Sequence, residues 1–221
     1  MKNNLVRLLL TLTVLMFLKS SMRAQTINWL AASQPQKSIL FANTGIDHGS
    51  FFKLGYAYKL KTCDPIYLST AITVPFGSDF MDDYKFELAG QMPIFSWFAF
   101  RSSIRVHSFV RNHQNNDVRL FDLGSGLALT NGFYCDTGHL ALELGIQHTG
   151  FTRLRRSNTE EQEQSQWFKG ASSQLFIGLQ GSKSLCQSTI VTFNLGAFAV
   201  PGKNQSSSLP FYFQLGLNKK I

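Results

Sequence analysis

Seven ionisable side chains stand at alternate positions within apolar stretches: Lys53, Lys85, Glu87, Arg101, Arg105, Asp122 and Glu143. Most are flanked on both sides by large hydrophobics, as Phe52 and Leu54 flank Lys53, and Leu142 and Leu144 flank Glu143. In an extended chain successive side chains leave opposite faces, so each charge points away from its greasy neighbours. If these faces enclose a narrow interior, the four cations and three carboxylates should pair across it. Two outcomes are open: a plug of ion pairs and hydrogen bonds, or a narrow polar pore whose slight basic bias favours anions.

Other groups offer less. Asp82, Asp83 and His113 could bring a carboxylate and an imidazole together at a rim, the minimum for activating water, but no second acid–histidine cluster supports them. His107 and Ser108 are adjacent, so on a strand they face opposite ways and cannot share one site. Neither Cys63, Cys135 and Cys186 nor His48, His113, His139 and His148 show metal-ligand spacing. There is no phosphate-cradling glycine loop and no nucleophile elbow. No cofactor or metal is expected, and a non-enzymatic chain is the expectation.

The elements that must position the seven charges are strands. Period-two alternation runs through residues 37–46, 51–61, 66–74, 84–92, 97–110, 118–130, 139–154, 167–180, 189–200 and 209–218. The clearest stretch sets Leu140, Leu142, Leu144 and Ile146 against Ala141, Glu143, Gly145 and Gln147. A water-soluble antiparallel sheet also alternates, but its second face is rich in Lys, Glu and Thr. Here that face is largely small: Gly55, Ala57, Ala71, Ala89, Gly124, Gly126, Ala128, Ala141, Gly145, Gly178, Gly196 and Gly216. Small residues suit the crowded inside of a narrow barrel.

Composition agrees. Charged residues are 15% of the chain, against roughly 25% in soluble domains, and 20 phenylalanines suit a lipid-facing surface with interfacial girdles. Residues 1–24 read as a signal peptide: Lys2 and Arg7 precede an apolar stretch, Leu8 through Leu18, too short to span a bilayer. Residues 25–221 form one barrel domain. The leader holds Lys2, Arg7, Lys19 and Arg23 and no acid, so its removal lowers the net charge from +8 to +4. That argues against a nucleic-acid partner. An oxidising compartment permits one disulfide among the three cysteines.

The links also sort into two sets. Residues 47–50, 76–83, 111–117, 155–166 and 201–208 make one set, mostly longer and more polar; residues 62–65, 92–96, 131–138 and 182–187 make the other, which holds all three cysteines. Long loops outside and short turns inside are the habit of outer-membrane barrels.

The leader, the alternating strands and the closing segment PFYFQLGL together resemble small outer-membrane β-barrel proteins of Gram-negative bacteria, the porin-like and OmpA-transmembrane-like group. The resemblance covers nearly the whole mature chain. It implies an all-β, antiparallel up-and-down transmembrane barrel of about ten strands, or eight if the first pair does not cross. It also implies residence in the bacterial outer membrane, lipid as the immediate partner, and loops available to an extracellular partner. The chain departs from the group at its end, Asn218-Lys219-Lys220-Ile221, where the group usually closes on an aromatic residue. Ten strands with a rim acid and imidazole also loosely resemble outer-membrane aspartyl-type proteases, an enzymatic alternative.

Overall fold

The computed structural model describes residues 37–46, 50–60, 66–76, 83–115, 118–135, 137–156, 164–199 and 211–221. The expected signal peptide, Cys63, Asp82 and most of the long links lie outside the described residues.

Ten strands form in chain order: β1 (Ser38–Ile46), β2 (Ser50–Lys59), β3 (Tyr67–Pro75), β4 (Tyr84–Trp97), β5 (Phe100–Asn115), β6 (Val118–Cys135), β7 (Gly138–Arg156), β8 (Gln164–Cys186), β9 (Thr189–Ala199) and β10 (Phe211–Lys220). Each pairs antiparallel with its chain neighbour, and β1 pairs antiparallel with β10 from Ile39↔Lys220 to Ile46↔Phe213. The sheet is therefore a closed up-and-down barrel. The first pair belongs to it, so the count is ten and not eight. No described residue is helical.

The alternation assigns the faces. Along β2 the outward Phe52, Leu54, Tyr56 and Tyr58 are exposed, while Phe51, Lys53 and Ala57 are buried. Among the described residues the buried set contains more polar and charged side chains than apolar ones. Leu88, Val106, Leu127, Leu140, Leu195 and Leu217, by contrast, are exposed on the outer wall. This inverts the arrangement of a water-soluble protein, where such a contiguous apolar surface marks an interaction site.

The strands are tilted. A row of directly opposed outward residues starts at Lys219, near the carboxy end of β10. It climbs through Leu40, Tyr56, Thr70, Leu88, Ser108, Ser125 and His148 to Ser173, far along β8 from the β8–β9 turn. Tilt of this kind is required to close a sheet into a barrel.

Several expected links prove to be strand. Residues 92–96 belong to β4, whose register shifts between Pro93 and Phe95, the bulge at which a proline is tolerated. The chain turns only at Phe98 and Ala99, with Phe98 at φ 50°. Residues 131–135 extend β6, 182–186 extend β8, and 111–115 lengthen β5. Residues 155–156 and 164–166 lengthen β7 and β8. Polar residues there do not break a strand: Arg111, His113 and Ser182 are accepted at inward positions, while Arg155 and Ser165 are exposed on the outer face near the strand ends.

The small inward residues have a specific reason. Phe41 lies directly opposite Gly55, Phe109 opposite Gly124, and Phe176 opposite Gly145. In each pair a β-carbon on the glycine would overlap the ring. Tyr212 covers Gly196 and reaches Gly178 in the same way. Each ring lies over the bare backbone of the next strand and fills the interior without displacing the wall. Replacing Gly145 with Val should overpack the Phe176 seat and destabilise the barrel by about 1–3 kcal/mol. A urea titration of heat-modifiable electrophoretic mobility checks this, and an unchanged midpoint would contradict the packing described.

Candidate functional site: the charged lumen

Glu87 on β4 is the hub of the interior. Its carboxylate lies 3.4 Å from Lys53 Nζ on β2, 3.2 Å from Lys85 Nζ two residues earlier on β4, and 3.5 Å from an Arg105 terminal nitrogen on β5. All four side chains are buried. Lys85 Nζ also stands 4.7 Å over the centre of the Phe109 ring. The strands deliver these groups because all four occupy inward positions on β2, β4 and β5, and Lys53 reaches Glu87 past the intervening β3. A carboxylate shared by three cations offsets part of the cost of burying them.

Glu143 on β7 is fully covered, and neither carboxylate oxygen has a hydrogen-bond partner in the structure. Arg105 and Lys53 act on it electrostatically, as does Glu87 with the opposite sense. It therefore belongs to the same central charge group without a direct bond to it.

The other two expected site residues lie in different layers. Arg101 sits nearer the end that holds the chain termini, its guanidinium 6.0 Å from the Tyr134 ring centre. Tyr134 stacks on His139 at 4.8 Å, and His139 Nδ1 is 2.6 Å from Ser182 Oγ. Asp122 lies toward the opposite mouth, where it accepts a hydrogen bond from Thr152 Oγ1 at 2.7 Å and lies 3.7 Å from His113 Nδ1. A cavity of about 130 Å³ opens there, lined by Arg111, His113, Asp122, Gln147, Ser172 and Gln174 among others. The seven charges thus share one face of the sheet but not one cluster.

Sequence reasoning missed the amides. Gln91 donates to Ser103 and Gln180 to Thr130, each at 3.3 Å, while Asn43, Asn194, Gln214 and Asn218 are buried on the same inner wall. Their signal was present in the alternation but carries no charge to draw attention. The rim candidates separate: Asp83 lies 3.9 Å from Arg111, and His113 engages Asp122. His107 and Ser108 face opposite ways, His107 buried and Ser108 exposed. Among the described residues no group of three His, Cys, Asp or Glu side chains converges as metal ligands would. Cys135 and Cys186 are exposed thiols at the end of the barrel that holds the termini.

No family model matches the chain, and no curated protein matches it. Solved structures do. The chain is similar to the Acinetobacter baumannii outer membrane protein Omp33, at 7% identity and a TM-score of 0.38, covering 84% of this chain and 98% of that one. It is similar to the β domain of the Bordetella autotransporter BrkA, at 9% identity and 0.39, covering 85% and 100%. It is also similar to OmpT, an outer membrane protein of Vibrio cholerae, at 6% and 0.22, covering 83% and 98%. At such values the fold stands on the strand register alone. It is a closed ten-stranded barrel.

The hub makes a sharp prediction. Glu87→Ala leaves Lys53, Lys85 and Arg105 crowded without their shared carboxylate and should cost about 3–5 kcal/mol. Glu87→Ala combined with Lys53→Met and Lys85→Met should recover much of that loss. Equal unfolding midpoints for the wild type and Glu87→Ala in detergent micelles would contradict the hub.

Proposed function

We propose that this chain is an outer-membrane β-barrel with a closed lumen, acting as a structural or surface protein rather than as a pore or an enzyme. The membrane part of the reading is supported by the inverted side-chain distribution. Leu54, Ile72, Phe86, Leu127, Ile146 and Leu215, on six strands, are each at least 40% exposed on the outer wall. In water each would forgo roughly half of the 1.5–3 kcal/mol that full burial supplies; against acyl chains they are at home. Closure between β1 and β10 leaves no sheet edge in hydrocarbon, the condition for a strand-built membrane protein.

One observation carries the closed lumen. Ser103, Thr130, Glu143 and Asn218, on four different strands, are inward-facing and no more than 1% exposed. A water-filled channel would wet such side chains. The Glu87 cluster and the rings seated on glycines occupy the space instead. In planar bilayers the purified chain should give no discrete openings. Openings whose ion preference reverses on Arg105→Glu would replace this reading with that of a narrow anion-favouring pore.

A catalytic role has weaker support. Asp83 lies against Arg111 and His113 against Asp122, so the two rim candidates engage different partners. Peptide or ester cleavage that disappears in His113→Ala, with the barrel still folded, would reverse this judgement.

The reading also gives an orientation, with both termini and the short turns in the periplasm. Cys186 then lies at a periplasmic turn, where hydrogen bonds from the Thr189 side chain and from Ser188 pull its thiol down to about 7. A membrane-impermeant maleimide at neutral pH should leave Cys135 and Cys186 unmodified in intact cells and modify Cys186 rapidly after the outer membrane is permeabilised. Labelling in intact cells would show the opposite orientation.

A further inference from the structure

The distal parts of β6, β7 and β8 carry a second feature, on the outer wall. The register there sets Phe121 opposite Arg153 and Arg153 opposite Trp167. One step farther along, Arg119 is opposite Arg155 and Arg155 opposite Ser165. One step nearer the centre, Leu123 is opposite Phe151 and Phe151 opposite Lys169. Directly opposed residues share a face. Arg119, Arg153, Arg155 and Lys169 therefore stand together, and all four are exposed. The Glu87 cluster is within the barrel and plays no part here.

The patch is built, not diffuse. Arg153 Nε donates to Ser165 Oγ at 2.7 Å, and its guanidinium lies 5.7 Å over the Trp167 ring. Trp167 packs edge-on against Phe121 at 6.4 Å. A guanidinium fixed through Nε presents its two terminal nitrogens as a fork, the geometry that matches two oxygens of a phosphate. Just toward the barrel centre lies the polar row Ser125, His148 and Ser173, with His148 Nδ1 3.0 Å from Ser173 Oγ. Nearer the centre again, the outward positions are Leu127, Ile146 and Leu175. The cations thus stand beyond the apolar wall, over a strip of aromatic rings, at the end away from the termini.

We propose that this face binds the phosphate groups of an anionic lipid in the outer leaflet, an inference that rests on the membrane reading above. A lipid is the occupant because the site joins two chemistries found together only there. Phe121, Phe151 and Trp167 meet the glycerol or sugar and upper acyl region, while the four cations meet the phosphates above it. A soluble anion has no use for the aromatic strip.

The experiment reconstitutes the full mature chain in phosphatidylcholine vesicles doped with a bisphosphorylated, multiply acylated disaccharide lipid, or with its dephosphorylated counterpart. Lipid retained on the extracted protein is counted by native mass spectrometry. The wild type should retain the phosphorylated lipid in preference, and Arg119→Gln/Arg153→Gln/Arg155→Gln/Lys169→Gln should lose about tenfold or more of it. Arg153→Lys, which keeps the charge but not the fork, should fall between. Heat-modifiable mobility and resistance to carbonate extraction, scored on the same vesicles, separate the two readings. Failure of the wild type to insert removes both. Insertion with equal retention of the two lipids, or equal retention by wild type and quadruple variant, overturns the lipid site alone. Displacement of the lipid by millimolar inorganic phosphate would also overturn it, since that would mark a general anion site.

Discussion

A chain that crosses hydrocarbon with strands must give every backbone N–H and C=O a partner, because no water is present to take the place of one. Pairing of β1 with β10 meets that requirement, and the rest of the architecture follows from it. Closure compels the strands to tilt, so that opposed residues climb around the wall from Lys219 to Ser173. It also divides the side chains into an outer set that meets lipid and an inner set that must share a small volume. The inner set resolves its crowding by seating large rings on glycines, as Phe176 does on Gly145.

The interior is also where polar groups gather, and they are organised by charge. One carboxylate, Glu87, serves three cations, one from its own strand, one from neighbouring β5 and one from β2, a strand farther round the wall. Such a cluster need not make the barrel more stable than an apolar filling of equal volume would. What it does is tie β2, β4 and β5 together at one height. The layers on either side are different in kind. Stacked Tyr134 and His139 occupy one, and a mouth cavity beside Asp122 and His113 the other.

Much of this was legible in the residues, because period two reports the two faces of a strand directly. The assignment of Lys53, Lys85, Glu87, Arg105 and Glu143 to the interior needed only their apolar neighbours. Which of them would meet was not legible, since that depends on register, and register around a closed barrel depends on shear. Arg101 and Asp122 therefore fall in other layers, although the pattern treats them like the rest. Strand ends were misread for a related reason. Gly132 and Ser182 suggest a link, yet both are at inward positions, which accept polar and small residues, so the strands run on to turns of about two residues. The rings of Phe41, Phe109 and Phe176 were hidden as well, because a bulky inward residue is compatible with the pattern only when a glycine lies opposite it on the next strand.

The account's central claim is that the greasy wall faces acyl chains. A nitroxide scan along β2, placing one label at a time from residue 52 to residue 58 in vesicles, tests it most directly. Collision rates with oxygen, which dissolves in lipid, should be high at the even positions Phe52, Leu54, Tyr56 and Tyr58 and low at Lys53, Gly55 and Ala57. A scan with no alternation, or one in which a water-soluble nickel chelate reaches the even positions as freely as oxygen does, would contradict it.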